Sequence, residues 1–341
     1  MFAAACMPMK ADFGLPFPAP LPWFLPLSLA GFLLLAPAAI AQSSLPGSPS
    51  AEKRSMEELR PDATFAVGGD PDWMAVSDDA VWVSIASLNR VTRLDAATNS
   101  SGIFVAVNNP CSGLAVGYGS LWIPACGDHA LVRANLKTGK REATIAAAPA
   151  DSEGCIAVGA GSIWLASDAK GVLARIDPNT NSVIARIAIP SGSYCPVFAD
   201  GSVWVTSSEH NVVARIDPAA DQVIQQIPVG RNPRFATAGA SALWTLNQGD
   251  GTISRVNTRN SEVVATIPAG LPGPGGEIAF GFGSVWVTLF GIPVTRIDSA
   301  ENKVIRQWHG NGGDSIRAGL GSIWLTSLKA GLVWRVAPGK L

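Results

Sequence analysis

From about residue 62 to the C-terminus, apolar residues alternate with polar ones or cluster in runs of four to seven bounded by Gly, Asn, Asp and Pro. Amphipathic helices would need apolar spacings of three and four, so this is the pattern of short strands. The pattern repeats. Trp82, Trp122, Trp164, Trp204, Trp244, Trp286 and Trp324 stand 40, 42, 40, 40, 42 and 38 residues apart, in phrases such as GSLWIP, GSIWLA, GSVWVT and GSIWLT. Eleven residues after each Trp, or ten in one repeat, comes an Arg: Arg93, Arg133, Arg175, Arg215, Arg255, Arg296 and Arg335. A polar turn such as DPNTNS then leads to a further apolar run such as VIARIAIP. A period of ~40–45 residues with four short strands is that of a propeller blade. Seven copies predict an all-β, seven-bladed β-propeller of four-stranded blades over residues 62–338.

The ends predict how the ring closes. The last repeat has its GSIWLT and VWRVAP strands but no fourth strand before Leu341. Upstream of the first repeat, Thr64-Phe65-Ala66-Val67-Gly68 has the form of Thr266-Ile267-Pro268-Ala269-Gly270, an outermost strand. An N-terminal strand completing the last blade would remove the open edges. The Trp–Arg spacing makes the two residues cross-strand neighbours on the second and third strands, where a guanidinium over an indole gains ~0.5–2 kcal/mol.

Ahead of the repeats, Lys10 precedes a leucine-rich stretch, Leu21–Ile40, that ends in Ala39-Ile40-Ala41. A basic residue, an apolar core and a small-x-small site predict a signal peptide over 1–41, and so a periplasmic or secreted protein with no membrane span after cleavage. Pro22, Pro26 and Pro37 interrupt the stretch and argue against a retained span. The polar segment from Gln42 to about Pro61 reads as a flexible leader.

Composition excludes some partners. Charged residues make up 15% of the chain, with 25 Lys+Arg against 26 Asp+Glu. No basic field is present for generic nucleic-acid binding, and a monomer that binds no nucleic acid is expected. Four cysteines follow the cleavage site. Cys111 and Cys126 are equidistant from the Tyr118-Gly119 turn, which predicts a disulfide across that hairpin. Cys155 and Cys195 lie nine residues before their tryptophans; a second bond and two free thiols both fit that placement.

The phrase GSVWVTSSEHNVVARIDPAADQVIQQIPVGRNP resembles the YVTN-type β-propeller repeats of exported bacterial proteins. More distantly, the chain is similar to the seven-bladed streptogramin B (virginiamycin B) lyases, which open a lactone by magnesium-assisted elimination. The latter resemblance implies a His about ten residues before the Trp in each of the last two blades, and an acidic residue after the final Trp. Here those places hold Gly276, beside Glu277, then Asp314 and Leu328, so the lyase residues do not carry over.

Any site is expected on the funnel face, where the turns entering the innermost strands meet the loops joining the second and third strands. Its candidate acid–base residues are Asp72, Glu277 and Asp314. Its candidate ligand-binding residues are Arg231, Arg234, Tyr194, Arg317, His129 and His210, with Arg231 and Arg234 expected to act together on an anionic group. Trp73 is the one tryptophan placed for ring stacking in the mouth. No Cys/His spacing suggests zinc, and no cofactor is evident, a magnesium or calcium ion in the funnel being left open. These features point first to an exported propeller binding a small molecule, glycan or protein on its funnel face, and second to a lyase or hydrolase working through the funnel carboxylates.

Overall fold

Spacing becomes register in every repeat. The computed structural model describes residues 51–150, 153–168 and 170–341. In it the seven Trp–Arg pairs, from Trp82–Arg93 to Trp324–Arg335, are direct cross-strand partners. The shorter spacing in the sixth repeat leaves Trp286 opposite Arg296 like the rest. The hairpins build seven sheets in chain order from axis to rim, the first blade being Pro71–Val76, Ala80–Ile85, Arg90–Asp95 and Ser100–Ala106. First strands of successive blades touch one another all the way round, closing a seven-bladed β-propeller. The expected signal segment, 1–41, lies outside the described residues.

Each tryptophan is fully buried and packs on the second strand of the next blade: Trp122 on Ile163 and Leu165, Trp324 on Val81 and Val83. In six blades the guanidinium lies 4.8–5.8 Å from the indole centroid. The arginine also ties blades together: Arg175 donates to the Pro218 carbonyl at 2.7 Å, and Arg335 to that of Ala96 at 2.6 Å across the closing seam. Blade one differs, because Arg93 pairs with Asp79 at 2.9 Å and Asp95 at 3.0 Å and does not stack on Trp82.

The serine of the GSxW phrase completes this unit. Ser120, Ser162, Ser202, Ser284 and Ser322 accept from the arginine Nε at 2.8–3.0 Å. Where that serine is alanine, at Ala80 and Ala242, the Nε of Arg93 and of Arg255 is buried without a partner. Arg255 still stacks on Trp244 at 4.8 Å, so Ala242→Ser restores a single missing acceptor. The substitution is expected to stabilise the fold by ~0.5–1.5 kcal/mol in urea denaturation. A lower midpoint would show that the site has no room for the hydroxyl.

Closure follows the sequence, with an addition. Ala63–Ala66 pairs antiparallel with Leu332–Val336 and completes the seventh blade. Phe65 packs on Trp324 with ring centroids 5.7 Å apart. The expectation of a flexible leader up to Pro61 is corrected over its described part. Glu52–Ser55 forms a fifth strand on blade six, parallel to Lys303–His309. Glu52 accepts from Arg306 at 2.8 Å, and the Arg54 guanidinium lies 5.9 Å from the Trp308 ring. Leu59 then enters a cluster with Trp308, Val336 and the fully buried C-terminal Leu341.

Cys111 and Cys126 are bonded, with Cα atoms 5.8 Å apart. Cys155 and Cys195 are bonded too, their Cα atoms 4.4 Å apart. Blades diverge toward the rim, but these two cysteines stand at the axis, where the innermost strands of blades three and four converge. Among the described residues no helix is long and apolar enough to cross a membrane.

Candidate functional site at the channel mouth

A hydroxyl two residues beyond the tryptophan sets the turns of the mouth. The Thr288 hydroxyl accepts from the Glu277 N–H at 2.8 Å and donates to the Asp314 carbonyl at 2.7 Å, locking the entering turn of blade six to that of blade seven. Thr326 accepts from the Ser315 N–H at 2.8 Å, Ser84 from that of Trp73 at 3.0 Å, and Thr206 donates to the Arg234 carbonyl at 2.8 Å. Gly275 and Gly276 complete the turn of blade six in the left-handed region, at φ 80° and 78°. A Cβ on Gly276 would collide with the Thr288 carbonyl, so the turn can pass close to the mouth only as glycine.

These turns enclose a small cavity of about 20 Å³ lined by Asp72, Trp73, Glu153, Phe235, Gly275, Gly276, Glu277, Asp314 and Ser315. The three acid–base candidates therefore meet, although they come from blades one, six and seven. The Asp72 and Asp314 carboxyls lie close enough to act directly on each other's titration. Burial, then the charge of Asp314, then that of Glu277, push the Asp72 carboxyl well above the usual carboxylate range. Asp314 is also raised, first by burial, although Asp72 beside it and a hydrogen bond from the Gly276 N–H favour its charged form. Both carboxyls are thus held toward the protonated form, Asp72 the more strongly.

The cationic candidates are spoken for. Glu277, only 3% exposed, forms an ion pair with Arg317 and accepts from the Ser315 hydroxyl and, at 3.2 Å, the Ile316 N–H. These partners satisfy a charge that would otherwise be costly to bury. Arg234 lies 4.6 Å from the Tyr194 ring centroid and reaches across the mouth to Glu153 at 2.6 Å.

The expected Arg231–Arg234 anion clamp is corrected by this geometry. Arg234 belongs to the innermost strand Pro233–Gly239 and is engaged at the axis. Arg231 precedes the strand, is exposed, and donates to the Gly249 carbonyl at 3.1 Å. His129 and His210 are exposed on the rim, with His210 Nε2 3.0 Å from the Ser191 hydroxyl, and neither enters the cavity.

Phe235 and Ser315 line the cavity without having been singled out in the sequence. Each adjoins a candidate, Arg234 or Asp314, and alternation along the strand was the available signal. Trp73 does reach the mouth. It is 3% exposed and sits edge-on to Phe235, the ring centroids 5.7 Å apart at 61°. Among the described residues no group of three or more His, Cys, Asp or Glu side chains has the arrangement of a metal site.

No protein-family model matches the chain, and no curated protein matches it. Solved structures do. A streptogramin B lyase superposes with a TM-score of 0.65 at 20% identity, over 78% of this chain and 93% of the other. A catalytically inactive virginiamycin B lyase variant from Staphylococcus aureus, in complex with quinupristin, gives 0.66 at 19%, over 78% and 94%. Kuenenia stuttgartiensis hydrazine synthase gives 0.65 at 12%, over 83% and 98%. The shared feature is the fold: the chain is a seven-bladed propeller, as these proteins are.

Proposed function

We propose that this propeller is exported and binds a polar ligand, or a polar group of a larger partner, at the axial mouth of its funnel face. The observation that carries the reading is the meeting of Asp72 and Asp314, carboxyls held above the ordinary range, with Glu153, Glu277 and two buried aromatic rings in one small cavity. Gathering four carboxyls in one small space, with Glu277 buried and Asp72 and Asp314 half-buried, lowers stability, and concentrated polar groups in a concavity are the mark of a ligand site. Export is supported by the signal-like segment 1–41 and by two disulfides, which persist in oxidising compartments.

A thermal-shift screen of polar metabolites and soluble glycans, run in parallel on the wild type and Asp314→Asn, tests the reading. Compounds that raise the wild-type melting temperature are expected to lose at least half of that shift in the variant. Hits that act equally on both proteins would move the site away from the axis.

A second reading, a lyase or hydrolase, is favoured by one feature. Asp72 is raised well above the ordinary carboxylate range and Asp314 beside it less so, and a carboxyl pair with separated proton affinities suits general acid–base catalysis. In that case Asp72→Asn would abolish turnover of a bound substrate while leaving its affinity within about threefold.

A further inference from the structure

We infer that Ser191 and His210 form a nucleophile–base pair at the rim of blade four, set to hydrolyse small uncharged carboxylic esters. The site is separate from the axial mouth and shares no lining residue with it.

Three polar side chains meet where the turn entering blade four faces the loop between that blade's second and third strands, Ser202–Ser207 and Val212–Asp217. The Ser191 hydroxyl donates to Glu209 Oε2 at 2.6 Å and lies 3.0 Å from His210 Nε2. A hydroxyl within ~2.6–3.2 Å of an imidazole nitrogen is the arrangement that activates a serine. The turn is fixed from several sides. Ser207 Oγ donates to the Ser191 carbonyl at 2.6 Å and accepts from the His210 N–H at 3.3 Å, so one hydroxyl sets both partners. The Ser208 N–H donates to the Gly192 carbonyl at 2.9 Å, and Ser193 Oγ to that of Pro190 at 2.7 Å. Gly192 sits at φ 64°, and a Cβ there would strike the Glu209 side chain, so glycine lets the carboxylate lie against the turn.

Two further observations supply the rest of an acyl-transfer site. The Gly192 N–H has no hydrogen-bond partner among the described residues, and the N–H that follows a nucleophile is a donor that oxyanion holes use. Beside the pair lies a cleft of about 310 Å³ lined by Ala188, Ile189, Pro190, His210, Val223 and Gln226. Its size falls at the lower end of the ~300–1,000 Å³ of ligand sites, and its aliphatic walls suit the apolar part of a small ester. Glu209 sets the charge of the substrate, because an anionic ester would meet a carboxylate 2.6 Å from the nucleophile.

With its ring proton on Nδ1, His210 takes the Ser191 proton at Nε2 as Oγ adds to the ester carbonyl carbon. The C–O bond to the alcohol then breaks, and the leaving oxygen takes the proton from Nε2. Water adds to the acyl carbon in the same way, giving a proton to Nε2, and the acid leaves as Ser191 recovers its own. Glu209, one hydroxyl away, orients the serine, and its charge favours the imidazolium formed at each step.

The test treats the full chain with an alkyl fluorophosphonate, which bonds to an activated serine with loss of fluoride, and separately with p-nitrophenyl butyrate. Peptide mapping is expected to place the label on Ser191, a readout on the wild type that needs no variant. Ester hydrolysis should fall to the protein-free rate in Ser191→Ala and at least about 100-fold in His210→Gln, the scale of a lost general base. His129→Gln, on the rim of blade two, should change nothing. A p-nitrophenyl ester with a carboxylate at the end of its acyl chain should react at least about tenfold more slowly, and Glu209→Gln should narrow that gap. A label on another residue, or none, would overturn the site. Turnover unchanged in Ser191→Ala or His210→Gln would overturn the pair. Acyl-Ser191 that accumulates without release of acid would overturn the hydrolysis, and equal rates on the two esters would overturn the choice of uncharged substrates.

Discussion

A chain that starts at Asp70 is expected not to fold cooperatively, whereas one that starts at Pro61 should fold but lose several kcal/mol relative to one starting at Ala51. The first truncation removes Ala63–Ala66 and with it the outermost strand of the seventh blade. It also strips Phe65 and Val67, 4% and 6% exposed, from the seam between blades seven and one, where each buried side chain is worth ~1.5–3 kcal/mol. The ring would then end in an unpaired edge next to a broken core. The milder truncation removes the strand Glu52–Ser55 and Leu59. Its ion pair to Arg306 is half exposed and worth little, ~0–1 kcal/mol, but Leu59 and the cover over Trp308 and Leu341 contribute more, so ~2–4 kcal/mol is expected. Urea denaturation of the three chains measures both steps. If loss of residues 51–60 left the midpoint unchanged, the fifth strand would be an ornament of the fold and not a clasp.

The two truncations divide along what the sequence could and could not reveal. Thr64–Gly68 was readable as the missing strand because it copies a strand pattern found elsewhere in the chain, alternation included. Glu52-Lys53-Arg54-Ser55 copies nothing: all four residues are polar, and their hold on blade six comes from backbone pairing, one ion pair and one cation over Trp308. Backbone pairing leaves no trace in side-chain periodicity, which is why the segment looked like a leader.

The site was legible in the same uneven way. Because every blade enters its innermost strand through a turn at the same face, Asp72, Glu277 and Asp314 could be placed there one by one from the repeat alone. Their contacts could not, since these depend on where each side chain points across the axis. Arg231 and Arg234 share one turn and looked like a clamp. The chain direction changes between them, however, and Arg234 finds its partner, Glu153, 81 residues away. The serines and threonines flanking most of the tryptophans were visible as a motif, but that Thr206 and Thr288 tie one blade's turn to the next is a role that only the closed ring defines.

Rising pH is expected to weaken the fold through the same pair that shapes the mouth, and Asp72→Asn should remove that sensitivity. Asp72 holds its proton in the folded protein above the ordinary carboxylate range because burial and the facing charges of Asp314, Glu277 and Glu153 oppose its ionisation, with Arg317 and Arg234 already paired to the two glutamates. Unfolded, an Asp titrates near ~3.9, so the folded state binds the extra proton, and its contribution is complete below that pH and is lost as pH rises through the raised value. For one proton the slope approaches ~1.4 kcal/mol per pH unit across that window. Carboxylates such as Asp177 and Asp62, lowered by backbone N–H groups and by Lys340 respectively, act oppositely and lose stability as pH falls, so the wild-type curve alone mixes the two effects. The difference between wild type and Asp72→Asn isolates the pair, because an amide can still donate to Asp314 without needing a proton from solution. Urea denaturation at steps from pH 4 to 8 should show the variant gaining on the wild type as pH rises, and curves that stay parallel would mean that Asp72 is not held toward its protonated form in the folded protein.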